Sequence, residues 1–558
     1  MSKQVKSIIL LAVMIVLSFS LVACSKKGSS SNAEKDSEKV ANLGELPEKF
    51  DEEVTLTTVR HVAGDINFRK GETIEDNVMT KWAKEKFNMN IKYLWTTSGP
   101  QDAFTTKMRL ALSANEEMPD LIALRDDVTE DLIDSKRFMP VGDVFEKYAS
   151  DIWKEAMNED PSVWNSFIRD GEKYAIPILD YSMNGDPVLF IREDWMKKLN
   201  LEAPQTLEDL EKVMDAFVNE DPDGNGKKDT FGLTVGFKNN LNAWMSDAGW
   251  VFGAYGAMPN QWNQTEDGQL EHGSTNPAIK EGLAKLNKWM GKGYIHKESG
   301  LWDETKASEL FTSGRAGIIA GPHWMAGWPL SDVKNNVEGA EFKAYPIPSG
   351  PDGKAGRHGT FNYNGAVLIN KEADPEAIKA FFVYQNYLFE NFANPKEGSE
   401  FEYGFAEGYD YVMKDGEPSK DVPDGIVNPG KYSLTFDVAR IPSLAMDTLY
   451  KLADGAEPET PYEKTRKQTA DTTPEVYEAA KIVVDQKDIT MPSMFTGAPT
   501  ETMKSRGQAL DKILDEGFNK IIYGELPVDE FDKMIDKWKS SGGDKVTEEV
   551  NEWYKSVQ

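Results

Sequence analysis

Cysteine is nearly absent: Cys24 is the one thiol in 558 residues. A lone thiol forms no internal disulfide, so that residue needs another explanation. Histidine is scarce as well, with five scattered copies. No H-E-x-x-H run, G-x-S-x-G elbow or G-x-x-x-x-G-K-[ST] loop occurs, which leaves zinc, serine-nucleophile and phosphate-cradling chemistries without a signature. Positive charge is in deficit, 63 Lys and Arg against 93 Asp and Glu, for a net charge of −30. A field of that sign repels phosphate backbones and anionic headgroups, which argues against nucleic acid. Solubility is the plain account of the acidity. A polyanionic ligand stays open through local cations such as Arg60, Arg125, Arg192 and Arg315, if one cleft gathers them. Beyond the N-terminus there is no apolar run of membrane length.

The N-terminal run itself is specific. Lys3 and Lys6 precede an apolar stretch over residues 8–22, broken only by Ser18 and Ser20, and Leu21-Val22-Ala23-Cys24 closes it. This is the layout of a secretory signal, and it resembles the bacterial lipoprotein signal. The resemblance implies cleavage after residue 23, a diacylglycerol on the Cys24 thiol and an N-acyl chain on its amine. The alternative is an uncleaved anchor helix with an incidental cysteine; either way the rest of the chain is expected outside the cytoplasm, tied to a membrane. Residues 24–50 are rich in Ser, Lys and Glu and nearly free of aromatics, so they are expected to form a disordered tether. Such a coil reaches on the order of 28 Å.

The remaining body, roughly 510 residues, has length for two or three domains. With 14 Trp, 19 Tyr and 26 Phe it has material for a large core and a ringed cleft. Strand-like runs at 54–60, 90–95, 119–124, 188–192, 316–320 and 366–370 alternate with helical spacing. Ile74, Val78, Trp82 and Phe87 mark one helix, and Phe104, Met108 and Leu112 another. Further helices are expected at 207–219, 278–290 and 375–388, with a mostly helical part from Pro474. This alternation predicts parallel α/β layers.

Local signatures then follow in a fixed order: Met118-Pro119-Asp120-Leu121-Ile122, Gly171-Glu172-Lys173-Tyr174-Ala175, Val188 to Trp195 with Pro204-Gln205-Thr206-Leu207, and Phe311-Thr312-Ser313-Gly314-Arg315-Ala316-Gly317 leading to Gly321-Pro322-His323-Trp324. The series resembles the family 1 extracellular solute-binding proteins, the sugar-binding subunits of ABC importers, over about residues 54–390. The resemblance implies an α/β, periplasmic-binding-protein-like type II fold, two α/β lobes joined by a hinge, with residues 51–180 and 363–455 in lobe 1 and 181–362 and 456–558 in lobe 2. It also implies capture of a carbohydrate, an oligosaccharide on account of the long body and many rings, and its delivery to permease subunits by a monomer that performs no chemistry.

Aromatic rings suit such a ligand, because a sugar offers C–H faces to flat rings and hydroxyls to directional partners. Ligands of open α/β sheets collect beyond the C-terminal ends of strands, which is where His323, Trp324 and Trp328 stand. The family stacks a sugar on the Trp of the Gly-Pro-Trp segment; here His323 is inserted, so which ring stacks stays open. Trp244 and Trp250 form a ring-rich segment suited to a sugar wall or to a core. Tyr174, Tyr181 and Tyr363 lie near the expected crossings between lobes, and Arg60, His61 and Arg125 lie at strand ends. For each of these, packing or a turn is the alternative.

Asp221, Asp223, Asn225 and Asp229 place oxygens at positions 1, 3, 5 and 9 of a loop with Gly226 at 6 and the Lys227 carbonyl at 7, the spacing of a Ca²⁺ loop. Position 12 is Gly232 rather than a bidentate Glu, so the shell must be closed by Asp229 or from elsewhere. Larger family members resemble this chain in carrying such a structural loop. Two other classes compete with binding: a lipid-anchored hydrolase or lyase, since a carboxylate pair can be drawn from 93 acids, and a surface sugar sensor.

Overall fold

The computed structural model describes residues 43–64, 66–69, 71–99, 102–125 and 128–558. Cys24, the signal over residues 1–23 and most of the tether lie outside the described residues. The chain divides into Met1–Leu46, of which the described residues 43–46 are irregular, and a body over Pro47–Gln558. The tether expectation runs too long at its end. Phe50 is buried and its N–H bonds to the Phe87 carbonyl at 3.0 Å. Among the described residues no helix is long and apolar enough to cross a membrane.

The body starts with β1 (Val54–Val62), which pairs in parallel with β2 (Met89–Ser98); the register shifts between Thr58 and Val59, leaving Leu94 as the extra residue. The helix Val78–Phe87 between them begins where Asn77 accepts the Met79 and Thr80 N–H groups and the Thr80 hydroxyl turns back to Asn77. That reciprocal cap sets the start at Val78, so Ile74 is buried ahead of the helix rather than on its face. Thr57 donates its N–H and hydroxyl to the Asp120 carboxylate at 2.8 and 2.6 Å, tying β1 to the start of β3 (Leu121–Leu124). Next comes β4 (Ile176–Leu179); every residue of β3 and β4 is buried, which explains their apolar runs.

After β4 the chain moves to a second sheet, built from β5 (Pro187–Arg192), β6 (Phe231–Thr234), β7 (Ala316–Pro322) and β8 (Phe342–Tyr345). Its order is β8-β5-β7-β6, with β5 antiparallel to both neighbours and β7 parallel to β6. Thr206 caps the helix Leu207–Asn219 by accepting the Asp209 N–H, as Pro204-Gln205-Thr206 suggests. The chain then returns as β9 (Tyr363–Ile369), which inserts between β3 and β4, antiparallel to both. Two sheets with separate cores result: one around Val59, Phe104, Ile122 and Leu368, the other around Leu189, Phe217, Trp250, Trp289 and Phe518. We call them lobe 1 and lobe 2.

The C-terminal helices Glu501–Ile522, Glu530–Trp538 and Asp544–Val557 pack on lobe 2 through Leu514, Phe518, Trp538 and Val550. The helix Leu444–Ala453 does so too: Met446 and Leu449 are buried with Val188, Phe190 and Val483. This corrects the expected boundary at 455, because the chain has crossed into lobe 2 by residue 444.

Gly317 on β7 is required by close approach. A Cβ there would stand 2.1 Å from the Phe217 ring and 3.0 Å from Trp195. Gly507, within Glu501–Ile522, has open space around it. We predict that Gly317→Ala lowers unfolding free energy by about 1–3 kcal/mol through overpacking, whereas Gly507→Ala raises it by about 0.5–1 kcal/mol. Urea unfolding of the two variants checks the contrast.

Candidate functional site

Three connectors join the lobes: residues 180–186 from β4 to β5, residues 359–362 ahead of β9, and residues 440–443 ahead of Leu444–Ala453. They run side by side, with the Asp180 N–H on the Asn362 carbonyl at 2.9 Å and the Ser182 N–H on the Pro442 carbonyl at 2.8 Å. The Asp180 carboxylate pairs with Arg440 and accepts Asn184 Nδ2 at 3.1 Å. Tyr181 lies under two guanidinium groups, those of Arg440 and Arg466, each 4.9 Å from its ring centre. Burial pushes the Tyr181 phenol upward, but Arg466 and Arg440 outweigh it and hold the group below its ordinary range.

On the lobe 1 side, the ends of β1 and β3 open into a recess lined by Arg60, His61, Phe104, Leu124, Arg125, Lys431 and Phe436. Arg60 is buried and donates to the carbonyls of Ser433 at 2.5 Å and Lys431 at 2.6 Å. Arg125 pairs with Asp437 at 2.7 Å. Both guanidinium groups lie against Phe436, 4.6 and 4.7 Å from its ring centre. Phe436 has φ of +68°, a left-handed backbone that costs a bulky residue roughly 1–2 kcal/mol, and such strain collects where geometry must be held. Burial raises the Asp437 carboxyl, but Arg440, Arg125 and Lys431 outweigh that and bring it to about 2. His61 Nδ1 lies 3.1 Å from the Thr97 hydroxyl.

On the lobe 2 side, β7 ends at Pro322 and a single turn, His323–Ala326, follows. Trp244, Trp324 and Trp328 form a near-parallel run of indoles, with Trp324 5.8 Å from Trp244 and 6.4 Å from Trp328 at 24° and 18°. Trp244 is 45% exposed and Trp328 49%. Large rings left this open are the informative exception on a soluble surface. Trp324 donates its indole N–H to the Asn184 carbonyl at 2.9 Å. A continuous polar path therefore runs from the indoles through Asn184, Asp180, Arg440 and Asp437 to Arg125 in the recess.

The remaining expected residues fall in different places. Trp250 is a correction: it is fully buried, donates to the Asp247 carbonyl at 3.0 Å and packs by Trp289 in the lobe 2 core, so it has no face for a solute. His323 is buried, and burial with the charge of Arg466 takes it down to about 3, so it is neutral in ordinary media. Tyr174 is half-buried against the lobe 1 core. Tyr363 bonds the Ser166 hydroxyl at 3.0 Å and stacks 5.5 Å from Phe361, a 42% exposed ring on a connector that ring-counting passed over. Of the four cations raised for one cleft, Arg60 and Arg125 do meet. Arg192 instead pairs with Asp194 inside lobe 2, and Arg315 lies against Phe231. Phe436, Asp437, Arg440 and Arg466 went unread, since their partners are remote: Arg125 and Asp437 are 312 residues apart.

In the acidic loop, Asn225 Nδ2 donates to Asp223 at 2.6 Å and to Asp229 at 3.1 Å, while the Gly226 N–H points at the Asp221 carboxylate. An amide stands among carboxylates that converge. Among the described residues no three His, Cys, Asp or Glu side chains already stand in a metal-holding arrangement. The donor chemistry nevertheless fits a hard cation: burial, with Asp221 and Asp229 crowding it, raises the Asp223 carboxyl. Gly232 cannot be the twelfth-position Glu, because a Cβ there meets Met214 at 2.7 Å.

Comparison with known proteins agrees with this architecture. The polygalacturonan/rhamnogalacturonan-binding protein YtcQ of Bacillus subtilis is 26% identical over 492 residues, 84% of this chain and 86% of its own. FusA of Streptococcus pneumoniae, an EF-hand mutant in complex with fructo-nystose, superposes with a TM-score of 0.64 at 18% identity, over 90% of this chain and 99% of its own. The alginate-binding protein AlgQ2, solved without calcium ion, gives 0.63 at 19%, over 92% and 100%. These likenesses show a shared fold, the periplasmic-binding-protein-like type II architecture. The model of the bacterial extracellular solute-binding proteins matches residues 66–416, and the chain belongs to that family.

Proposed function

We propose that this solute-binding protein captures an oligosaccharide between its lobes and hands it to the permease subunits of an ABC importer, with no bond made or broken by this chain. The observation that carries the reading is the run Trp244, Trp324 and Trp328, two of its rings half exposed, joined through the hinge to a polar recess. Flat indoles pack on the C–H faces of sugar rings, and the connector groups take hydroxyls. A ligand bridging both sides favours the closed arrangement over the open one, and only such differential contact can shift the balance. The sugar-binding names of YtcQ, FusA and AlgQ2 support a carbohydrate. A hydrolase or lyase gains no support from these relatives, and a sugar sensor would share the site but lack permease partners.

The same reading places the chain at the outer face of the cell membrane, held by lipid on Cys24. It assigns a structural Ca²⁺ to Asp221, Asp223, Asn225, the Lys227 carbonyl and Asp229; the EF-hand wording for FusA and the calcium wording for AlgQ2 support it. The Asn225 amide would rotate to present its oxygen. The ion would neutralise the crowded carboxylates at the end of the helix Leu207–Asn219.

Screening oligosaccharides from pectin, alginate, inulin and xylan by thermal shift should find one that raises the melting point. Trp328→Ala should weaken that sugar by at least about tenfold with the sugar-free melting point unchanged; equal affinity in the variant would remove the indoles from the site. For the loop, excess chelator should lower the melting point, and Asp223→Ala should reproduce the loss and abolish further response. Stabilisation of about 2.7 kcal/mol is expected when calcium exceeds its dissociation constant a hundredfold. A midpoint that chelator leaves in place removes the ion.

A further inference from the structure

The two lobes also touch away from the connectors. Lys504, on the lobe 2 helix Glu501–Ile522, lies 2.7 Å from the Asp134 carboxylate and 3.9 Å from that of Glu130, both on the lobe 1 helix Val128–Asp134. Arg169 of lobe 1 pairs with Glu130 as well. Each helix is fixed to its own core: Leu510 and Leu514 are buried in lobe 2, Val128 and Leu132 in lobe 1. Neither charge rides on a loop, so parting the lobes here parts the pair. Both charges stand where their own helices disfavour them. Lys504 is the fourth residue of its helix, near the positive end of the macrodipole, and Asp134 is the last residue of its helix, at the negative end. A cation and an anion that their own helices leave unsupported meet across the lobes. Nearer the connectors a neutral contact makes the same crossing. Asn165 donates Nδ2 to the Thr496 hydroxyl at 2.8 Å, and the Ser166 hydroxyl donates to the Thr496 carbonyl at 2.8 Å. Ser166 is also the partner of Tyr363, directly after the connector 359–362, so this contact lies by the pivot and Lys504 stands eight residues farther along the chain.

We propose that Lys504, with Asp134 and Glu130, is an inter-lobe clasp that biases the sugar-free protein toward the capturing arrangement and so sets its apparent affinity without touching the sugar. The helix Val128–Asp134 follows β3, whose end opens into the recess, so the clasp and the ligand bridge the same two lobes at the same sheet edge. A binding-competent state that is only partly populated weakens binding in proportion; a pair made by the protein itself raises that population before the sugar arrives. Lys504 is thus a positioning residue. The effect on affinity rests on the capture reading above, whereas the clasp itself does not.

The test reads lobe separation by double electron–electron resonance on the mature body carrying Cys24→Ser, with spin labels on Glu117→Cys in lobe 1 and Gln508→Cys in lobe 2, both exposed positions. Cys24 is the one native thiol, so only the introduced pair takes label. Lys504→Gln and Asp134→Asn, which break the clasp from opposite lobes, should each lengthen the mean distance in the sugar-free protein, and Lys504→Arg should preserve it. Raising salt from roughly 20 to 500 mM should lengthen the distance in the parent and leave Lys504→Gln unmoved. Calorimetry with the sugar from the screen should show binding weakened by about two- to fivefold in both clasp-breaking variants, the range an accessible ion pair supplies, with thermal melting confirming that they fold. A distance that neither variant alters overturns the clasp. Lengthening accompanied by unchanged or tighter binding overturns its role in capture. If no saccharide binds at all, the capture reading falls, and the distances by themselves uphold or overturn the clasp.

Discussion

The hinge depends on a buried carboxylate held by guanidinium groups on two sides. Asp437 meets Arg125 from lobe 1 and Arg440 from a connector, and Arg440 reaches on to Asp180 on the neighbouring connector. Buried ion pairs of this kind add little net stability, since desolvation offsets most of the attraction. Their contribution is geometric, because removing one partner strands a charge, and the group therefore accepts few arrangements. That constraint fixes where the connectors lie and where Tyr181 sits between Arg440 and Arg466. Both walls of the site are positioned from this point, the lobe 1 recess through Arg125 and the indoles through Asn184.

The two walls divide the chemistry. Lobe 2 supplies wide apolar faces with one satisfied polar handle, the Trp324 N–H on the Asn184 carbonyl. Lobe 1 supplies charge, with Phe436 against two guanidinium groups despite a backbone conformation that a bulky residue disfavours. Strain collects at Phe436, while every residue of β3 and β4 behind it is buried.

Much of the scaffold was legible because it is written in local patterns. The strand runs at 188–192 and 316–320 and the helix at 207–219 follow from periodicity and from Thr206 as a cap, and they reappear within β5, β7 and Leu207–Asn219. The site was only half legible. Trp324 and Trp328 announce themselves by following the end of a strand. Trp244 and Trp250 share one ring-rich segment, yet one is exposed and the other is core, a difference set by which residue faces Trp289 and which faces Trp324. Pairings such as Arg125 with Asp437, and the early crossing at residues 440–443, join distant stretches by contacts that no local pattern encodes.

In the proposed cycle a saccharide brings two hinged lobes together. Small-angle X-ray scattering of the mature protein, with and without a saturating oligosaccharide from the screen, tests it most directly. Closure gives a smaller radius of gyration with the sugar bound. A sugar that binds, as calorimetry reports, and leaves the radius unchanged would contradict it.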